Sequence, residues 1–120
     1  MNIDTWLSTF KEAWISHNVD AVLSLFHSQV IYYETPFNKL DDFAALENAW
    51  KTIKKQNNIQ LNLKVFCSKG NMHAVLWRLE YTKSGEVKKY AGTYLIELNS
   101  DNKCIYFFHT CENNDYYNNS

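Results

Sequence analysis

The sequence Tyr90-Ala91-Gly92-Thr93-Tyr94-Leu95-Ile96 lies in the second half of a 120-residue chain, and the other predicted strands and helices are placed around it. Every second residue is large, except that a glycine stands in the middle. This alternation is typical of a β-strand, here predicted over Glu86–Leu98 and paired with a last strand over Lys103–Glu112. Glycine inside a strand marks a bulge or a close approach by another group. We therefore predict that Gly92 faces a large neighbour.

The turns on either side of this strand predict what that neighbour is. The turn Lys83–Glu86 fits a two-residue hairpin loop, which sets Trp77 opposite Gly92. An even-numbered loop over residues 99–102 would set Gly92 opposite His109 on the other side. One row of the sheet would then read Trp77, Gly92, His109, with a gap between a large ring and a titratable ring. We predict that this gap is the floor of a pocket.

Helical and extended segments precede these strands. Ile3–Ser16 and Val19–Phe26 carry apolar residues at three- and four-residue steps, so both are predicted helices. Gln29–Thr35 is rich in β-branched and aromatic residues and predicts a strand that ends at Pro36. A third helix is predicted to start at Asp41.

After residue 57 the apolar period changes to two, which predicts four strands joined by consecutive hairpins. The fold class is therefore α+β, a cone-shaped curved antiparallel sheet covered on one face by three N-terminal helices. We expect one domain over residues 1–112 and a flexible polar tail over 113–120. The uncovered face carries Phe66, Leu76 and Leu95, which favours a homodimer through this outer sheet face.

Composition excludes several classes of function. The net charge is −1 and there is no basic stripe, so nucleic acid is not an expected partner. Three cysteines without CxxC spacing indicate reduced thiols, and no apolar run approaches a membrane span, so we expect a cytoplasmic protein without a membrane partner. The four histidines have no metal-ligand spacing, and no metal or other cofactor is expected.

The order of the elements resembles the nuclear transport factor 2-like superfamily and, within it, the SnoaL-like small proteins. The matching motifs are Phe10-x-x-x-Trp14, Asn18–Val22 before Leu25-Phe26, Tyr33–Phe37, the helix with Trp50, Val75–Trp77 and Gly92–Ile96. The resemblance covers Thr5 to Glu112 and implies the cone-shaped fold. That superfamily includes isomerases, cyclases, dehydratases, epoxide hydrolases and non-catalytic binders, so function needs a separate argument.

The resemblance to ketosteroid isomerase-like members implies a base just before a proline at the end of the first strand, a place that Glu34 occupies. Their helix tyrosine falls on Phe10, and their late-strand aspartate falls near Gly92–Tyr94, where no carboxylate exists. Steroid-type isomerisation is therefore not expected. Epoxide hydrolase-like members need an Asp–Arg–Asp set, but alternation points Arg78, the one arginine, away from the cavity.

Two titratable residues remain as candidate catalytic groups, Glu34 as proton acceptor and His109 as its partner or acid. His109 is also the one histidine in the predicted cavity that scytalone dehydratase-like chemistry could use. The candidate ligand-binding residues are Trp14, Tyr32, Trp50, Leu63, Trp77, Gly92 and Tyr94, with the two tyrosines as hydroxyl donors. The alternative interpretation is structural, because a strand-end glutamate often pairs with a lysine and an inward histidine often belongs to the core.

Two functions follow from these residues. The first is a small-molecule-binding protein whose apolar aromatic pocket takes a small apolar or cyclic molecule, with isomerase or cyclase activity through Glu34 and His109. The second is a non-catalytic protein-interaction or dimerisation module whose cavity is filled by its own side chains. Thermal stability with and without small hydrophobic ligands separates the two.

Overall fold

The structure is a computed structural model that describes residues 2–114. The elements are α1 (Ile3–Ile15), α2 (Val19–Leu23), β1 (Phe26–Thr35), β2 (Asn38–Lys39), α3 (Phe43–Trp50), a 3₁₀ helix (Lys51–Lys55), β3 (Asn57–Lys69), β4 (Met72–Lys83), β5 (Glu86–Leu98) and β6 (Cys104–Asn113). The tail predicted over 113–120 lies, from residue 115 on, outside the described residues.

The strands form one curved six-stranded sheet in the order β2-β1-β6-β5-β4-β3. The four long strands β3 to β6 are consecutive antiparallel hairpins, which confirms the predicted order and the α+β class. The sheet is nevertheless mixed rather than antiparallel throughout, because β1 lies parallel to β6. Alternation of apolar residues predicts a strand but not its direction, and a parallel partner distant in sequence leaves no turn motif.

Two helix boundaries differ from the predicted ones. Helix α2 ends at Leu23 instead of Phe26, because the carbonyl of Leu25 accepts a hydrogen bond from the Cys104 N–H at 2.8 Å and the chain enters the sheet. Helix α3 begins after Asp42 rather than at Asp41. The Asp42 carboxylate accepts the N–H of Ala45 at 2.9 Å and so caps the helix.

The register between β4 and β5 confirms the prediction. The loop residues Ser84 and Gly85 have φ values of 53° and 79°, the left-handed geometry that a two-residue hairpin needs. Trp77 accordingly lies opposite Gly92.

The predicted register between β5 and β6 was wrong by two residues. Gly92 lies opposite Cys111, and His109 lies opposite Tyr94. Side chains alternate between faces with a period of two, so a shift of two residues leaves every side chain on its predicted face. His109 therefore still shares the inner face with Trp77.

The two-residue shift has two separate causes. Leu98 pairs with Cys104, so the loop occupies residues 99–103 and is one residue longer than predicted. In a regular ladder the next pair would join Glu97 to Ile105, but Glu97 lies opposite Tyr106. A bulge therefore adds one more residue to β6 at this point.

The core lies between the helices and the inner face of the sheet. Phe10 of α1 is at its centre, with ring centroids 5.4 Å from Trp50 and 5.9 Å from Tyr94. The fully buried large side chains include Trp6, Phe10, Leu46, Ile53, Leu61, Ile96, Leu98 and Phe107. Among residues 2–114, no helix has the length and apolar character needed to cross a membrane.

Candidate functional site

Strand β1 carries Tyr32 on the inner face, and Glu34 follows at the irregular end of the strand, where its charge acts on both Tyr32 and His109. Tyr32 pairs with Phe107 of β6, and the two rings stack with centroids 4.8 Å apart. Tyr32 is buried and Glu34 is half-buried. The parallel β1–β6 pairing therefore brings Glu34 to the edge of the aromatic core, beside His109.

His109 is held by the main chain of Glu34. Its Nδ1 lies 2.7 Å from the Glu34 carbonyl oxygen. Because a carbonyl only accepts, Nδ1 carries the hydrogen, and Nε2 of the neutral ring is a free acceptor. Burial lowers the pKa of His109, and the hydrogen bond and the charge of Glu34 oppose that shift only in part. The two predicted catalytic residues are thus brought together, through a carbonyl rather than a carboxylate.

Two aromatic rings flank His109. Its ring centroid lies 5.2 Å from Trp77 and 5.5 Å from Tyr94, and the Trp77 and Tyr94 rings stack at 5.3 Å. Trp77 and Tyr94 are 3% and 2% exposed. Leu63 is half-buried on β3 opposite Trp77. These three predicted ligand-binding residues therefore form one wall beside the histidine.

Gly92 permits a close approach, as the sequence predicts, but the gap predicted over it as the floor of a pocket is filled. A Cβ added there would lie 1.9 Å from the Thr110 carbonyl oxygen and 3.0 Å from Cζ2 of Trp77. The Thr93 N–H donates to the Thr110 hydroxyl at 3.0 Å. The space above Gly92 is therefore occupied by the backbone of β6 and by the edge of an indole ring.

Trp14 and Trp50 lie deeper, among the rings of the core. Their centroids are 4.9 Å apart and both contact Phe10 edge-on. The Trp14 indole donates to the side-chain oxygen of Gln56 at 2.7 Å. Trp14 and Trp50, both predicted to line the pocket, thus pack against other side chains of the core.

The two candidate hydroxyl donors are both buried. Burial raises the pKa of Tyr32, the charge of Glu34 raises it further, and the Trp50 indole opposes the shift. Burial also raises the pKa of Tyr94, and Tyr32 adds to that shift. Both hydroxyls therefore keep their protons at neutral pH and can act as donors.

Two buried indole N–H groups lack a hydrogen-bond partner within the described part of the chain, Nε1 of Trp50 and Nε1 of Trp77. Trp6 differs, because its indole donates to the Leu25 carbonyl at 3.1 Å. Buried polar groups are nearly always paired, so an unpaired one calls for an explanation.

Sequence reasoning missed three residues that extend the inner face past Trp77. Tyr81 and Tyr90 are half-buried, with stacked rings 5.8 Å apart and hydroxyl oxygens 3.4 Å apart. Cys111 is exposed and lies opposite Gly92. The period-two alternation that placed Trp77 inward also places Tyr81 inward and could have found it. We call Glu34, Tyr81, Tyr90, His109 and Cys111 the open end of the inner face.

Exposed apolar side chains gather on one half of the outer face of the sheet. The adjacent strands β3, β4 and β5 carry Phe66, Leu76 and Leu95, which are 69%, 42% and 44% exposed. Ile31 on β1, which is separated from β5 by β6, is 42% exposed. A hollow of about 440 Å³ lies in this region, lined in part by Cys67, Met72, Leu95 and Tyr106. Arg78 is exposed on the polar half of the same face, as predicted. We call the apolar half the outer patch.

Among residues 2–114, no group of three or more His, Cys, Asp or Glu side chains is placed to hold a metal ion. Within that range the titratable side chains at the open end are Glu34, Tyr81, Tyr90, His109 and Cys111, and Lys88 lies opposite Tyr81 on the same face. Their chemistry is proton transfer and hydrogen bonding.

No protein-family model and no curated protein matches the chain. Several solved structures match the chain in fold. An NTF2-like protein of unknown function from Exiguobacterium sp. 255-15 has a TM-score of 0.73 at 17% identity, over 89% of this chain and 98% of that one. A Δ5-3-ketosteroid isomerase from Mycobacterium sp. has a TM-score of 0.74 at 16% identity, over 87% of this chain and 88% of that one.

A third structure is a Mycobacterium tuberculosis protein in complex with estradiol-17β-hemisuccinate. Its TM-score is 0.73 at 13% identity, over 87% of this chain and 88% of that one. At these identities the likeness concerns the fold. The chain has the nuclear transport factor 2-like fold, as its motifs predict.

Proposed function

We propose that the protein binds a small, largely apolar molecule at the open end of the inner face and moves a proton on it, as an isomerase or cyclase does. The observation that carries this proposal is the hydrogen bond of 2.7 Å between His109 Nδ1 and the Glu34 carbonyl. It fixes the tautomer of a half-buried imidazole and leaves Nε2 to accept a proton, while the charge of Glu34 acts on the same ring. That is the arrangement a general base needs.

The proton transfer follows from the two groups. A neutral His109 or the Glu34 carboxylate takes a proton from the ligand. Protonated His109 is stabilised by the charge of Glu34, which favours the cationic ring. The group that took the proton, the His109 imidazolium or the Glu34 carboxyl, then returns it to another atom of the ligand. Tyr94, whose ring centroid is 5.5 Å from that of His109, is the nearest candidate hydroxyl donor.

The chemistry of structural neighbours supports a small cyclic ligand. One neighbour is a ketosteroid isomerase, and another holds a steroid hemisuccinate. The half-buried rings of Tyr81 and Tyr90 offer an apolar surface at the open end. Flat apolar molecules pack well against such rings.

A ligand screen by thermal shift tests this proposal. Hits should stabilise the protein as their concentration rises, because they bind the folded state. Their effect should fall in Glu34→Gln and His109→Gln and persist in Glu112→Gln, a carboxylate exposed on the outer side of β6. Hits incubated in D₂O should exchange a carbon-bound proton only when both residues are intact. A broad apolar library without a hit, or hits indifferent to both variants, would refute the site.

A second function, dimerisation through the outer patch, is favoured by a separate observation. The patch joins exposed side chains of the adjacent strands β3, β4 and β5 in one surface, together with the hollow of about 440 Å³. Apolar patches of this kind mark interaction sites. We propose a second copy of this chain as the partner, since one self-complementary face suffices for a twofold dimer.

Light scattering coupled to gel filtration tests the dimer. Leu95→Glu places a charge within the patch and should give a monomer. Val87→Glu is the matched control, because Val87 is also exposed on β5 but lies near its other end, opposite Thr82. A wild-type monomer at micromolar concentration would contradict the proposal.

The state of the cysteines is consistent with a proposed cytoplasmic location. All three are free thiols, and Cys67 and Cys111 are exposed. Exposed thiols persist in a reducing compartment.

A further inference from the structure

The two edges of the sheet differ in length. One edge is β2, which has two residues, and the other is β3, which has 13 residues and pairs with β4 alone. Among residues 2–114, no main-chain hydrogen bond joins Asn57–Lys69 to any element other than β4. The outward N–H and C=O groups of β3 are therefore open to pairing with another extended chain.

The charges along this edge are of one sign. Residues 48–79 contain no aspartate or glutamate, although the whole chain has a net charge of −1. Lys55 precedes β3, Lys64 lies within it and Lys69 ends it, and all three are exposed. The ion pairs within the described chain, residues 2–114, involve other lysines. An acidic partner would therefore meet positive charge that no carboxylate of the chain offsets.

A groove follows the inner side of the same edge. It is a hollow of about 280 Å³ between α1 and β3, lined by Asp4, Leu7, Ser8, Lys11, Leu63 and Val65. The β3–β4 ladder is regular over Gln60–Val65, so the backbone beside the groove is straight enough to pair. Asp4 and Lys11 carry opposite charges and so favour neither sign. The groove therefore suits apolar side chains of an added strand.

The outer side of the edge suits carboxylates instead. Lys64 and Lys69 lie on the outer face, opposite Leu76 and Met72 of β4. Neighbouring side chains of opposite charge on adjacent strands stabilise a sheet, and like charges destabilise it. A second copy of β3 would bring lysines towards lysines with no carboxylate between them. The occupant that fits this edge is therefore a different, acidic chain.

We propose that β3 binds an extended acidic peptide segment of a partner protein as an additional strand of the sheet. The segment alternates apolar residues, which enter the groove, with acidic residues, which lie beside Lys64 and Lys69. Main-chain hydrogen bonds to β3 supply affinity, and the groove and the lysines supply specificity. Nucleic acid fits less well, because it lacks the main-chain groups that extend a sheet. This surface is separate from the open end of the inner face and does not depend on the proposed function.

Fluorescence anisotropy with synthetic peptides tests the proposal on the whole chain. The probe is a short, fluorescein-labelled peptide of alternating valine and glutamate, and a second peptide carries lysine in place of glutamate. Two further peptides keep the probe's side chains but are N-methylated at every valine or at every glutamate. The probe should bind and the lysine peptide should not. One methylated peptide should bind and the other should not, because alternate N–H groups of a strand face the same neighbour.

A charge reversal on β3 gives the second measurement. Lys64→Glu should weaken binding of the acidic probe about tenfold, because a repulsive neighbour replaces an attractive one. Lys39→Glu is the matched control, since Lys39 is an exposed lysine on β2 at the opposite edge, and it should leave the affinity unchanged. In the wild type the bound probe should slow hydrogen exchange of amides in β3 and not in β6.

Several results would overturn the proposal. One is the absence of saturable binding at millimolar concentration of the probe. Equal binding of the lysine peptide would show that charge does not select the partner, and equal binding of both methylated peptides would show that no strand is added. If a uridine oligonucleotide displaces the probe, loses affinity in Lys64→Glu and leaves exchange in β3 unchanged, the edge is a nucleic-acid surface and the proposal is wrong.

Discussion

The tryptophans of helix α1 and those across the core from it bury similar rings but treat their N–H groups differently. Trp14 donates to Gln56, which is itself 7% exposed, so both polar groups are satisfied inside the protein. Trp77, buried to the same degree, donates to nothing in the described chain. The indole N–H of Trp14 on α1 is therefore paired, whereas that of Trp77 on β4 is buried without an acceptor in the described chain.

Ring packing alone does not separate a core from a binding site. Trp77 stacks on Tyr94 at 5.3 Å much as Trp6 stacks on Phe10 at 5.1 Å. What separates the two regions is the satisfaction of polar atoms and the half-exposed groups of the open end. Changes on the α1 side should therefore act on stability, and changes near Trp77 on binding.

The largest effect on stability is expected from Gly92→Ala. Its Cβ would lie 1.9 Å from a backbone oxygen, which no side-chain movement relieves. Strand β6 must shift, and we expect a loss of about 3 kcal/mol in the free energy of unfolding, measured in urea. Ala91→Ser, one residue earlier on the outer face, is the control and should cost far less. An unchanged midpoint in Gly92→Ala would show that β5 and β6 are not packed as described.

The next largest loss of stability is expected from Trp14→Phe. It leaves the side-chain oxygen of Gln56 buried without a donor, so we expect a loss of about 2 kcal/mol beyond that of Trp77→Phe, which strands no acceptor. The double variant Trp14→Phe/Gln56→Met removes both polar groups and should recover part of the loss. Equal losses in Trp14→Phe and Trp77→Phe would erase the distinction between the two regions.

A smaller effect is expected from pH. Burial lowers the pKa of His109 in the folded state below its unfolded value, so the unfolded chain binds more protons in acid. Stability from this group is therefore complete above the unfolded pKa of about 6.5 and is lost as pH falls below it. His109→Gln should flatten the dependence of unfolding free energy on pH between pH 7.5 and 5.

A residual slope should remain in His109→Gln. Burial also lowers the pKa of His73, and the charge of Asp4 opposes that shift. The Nδ1 atom of His73 lies 2.6 Å from the Ser68 hydroxyl oxygen. Its contribution has the same sign. An identical slope in the wild type and His109→Gln would contradict the buried, neutral state of His109.

The sequence predicts the fold well because its signals are local. Alternation defines the strands, and the Ser84-Gly85 loop defines the β4–β5 register through its positive φ values. The bulge beside Leu98 has no such signal, so the β5–β6 register was displaced. The two one-residue errors add to a shift of two residues, which is one full period of a strand. His109 therefore stayed on its predicted face.

The site was less predictable because its decisive contacts are not local. Glu34 and His109 meet through the parallel β1–β6 pairing, which no turn announces, and the contact uses a main-chain carbonyl that every residue has. The unpaired indole of Trp77 is visible only once all its neighbours are placed. Tyr81 and Tyr90, in contrast, follow from alternation and were open to prediction.

The tautomer of His109, measured from the ¹⁵N resonances of its imidazole at pH 7, decides whether the proposed base exists. A ring whose Nδ1–H donates to the Glu34 carbonyl must show a protonated Nδ1 and a bare Nε2, the base on which the proposed function depends. That result is the one we expect. A hydrogen on Nε2, or a doubly protonated ring at pH 7, would remove the base and contradict the account.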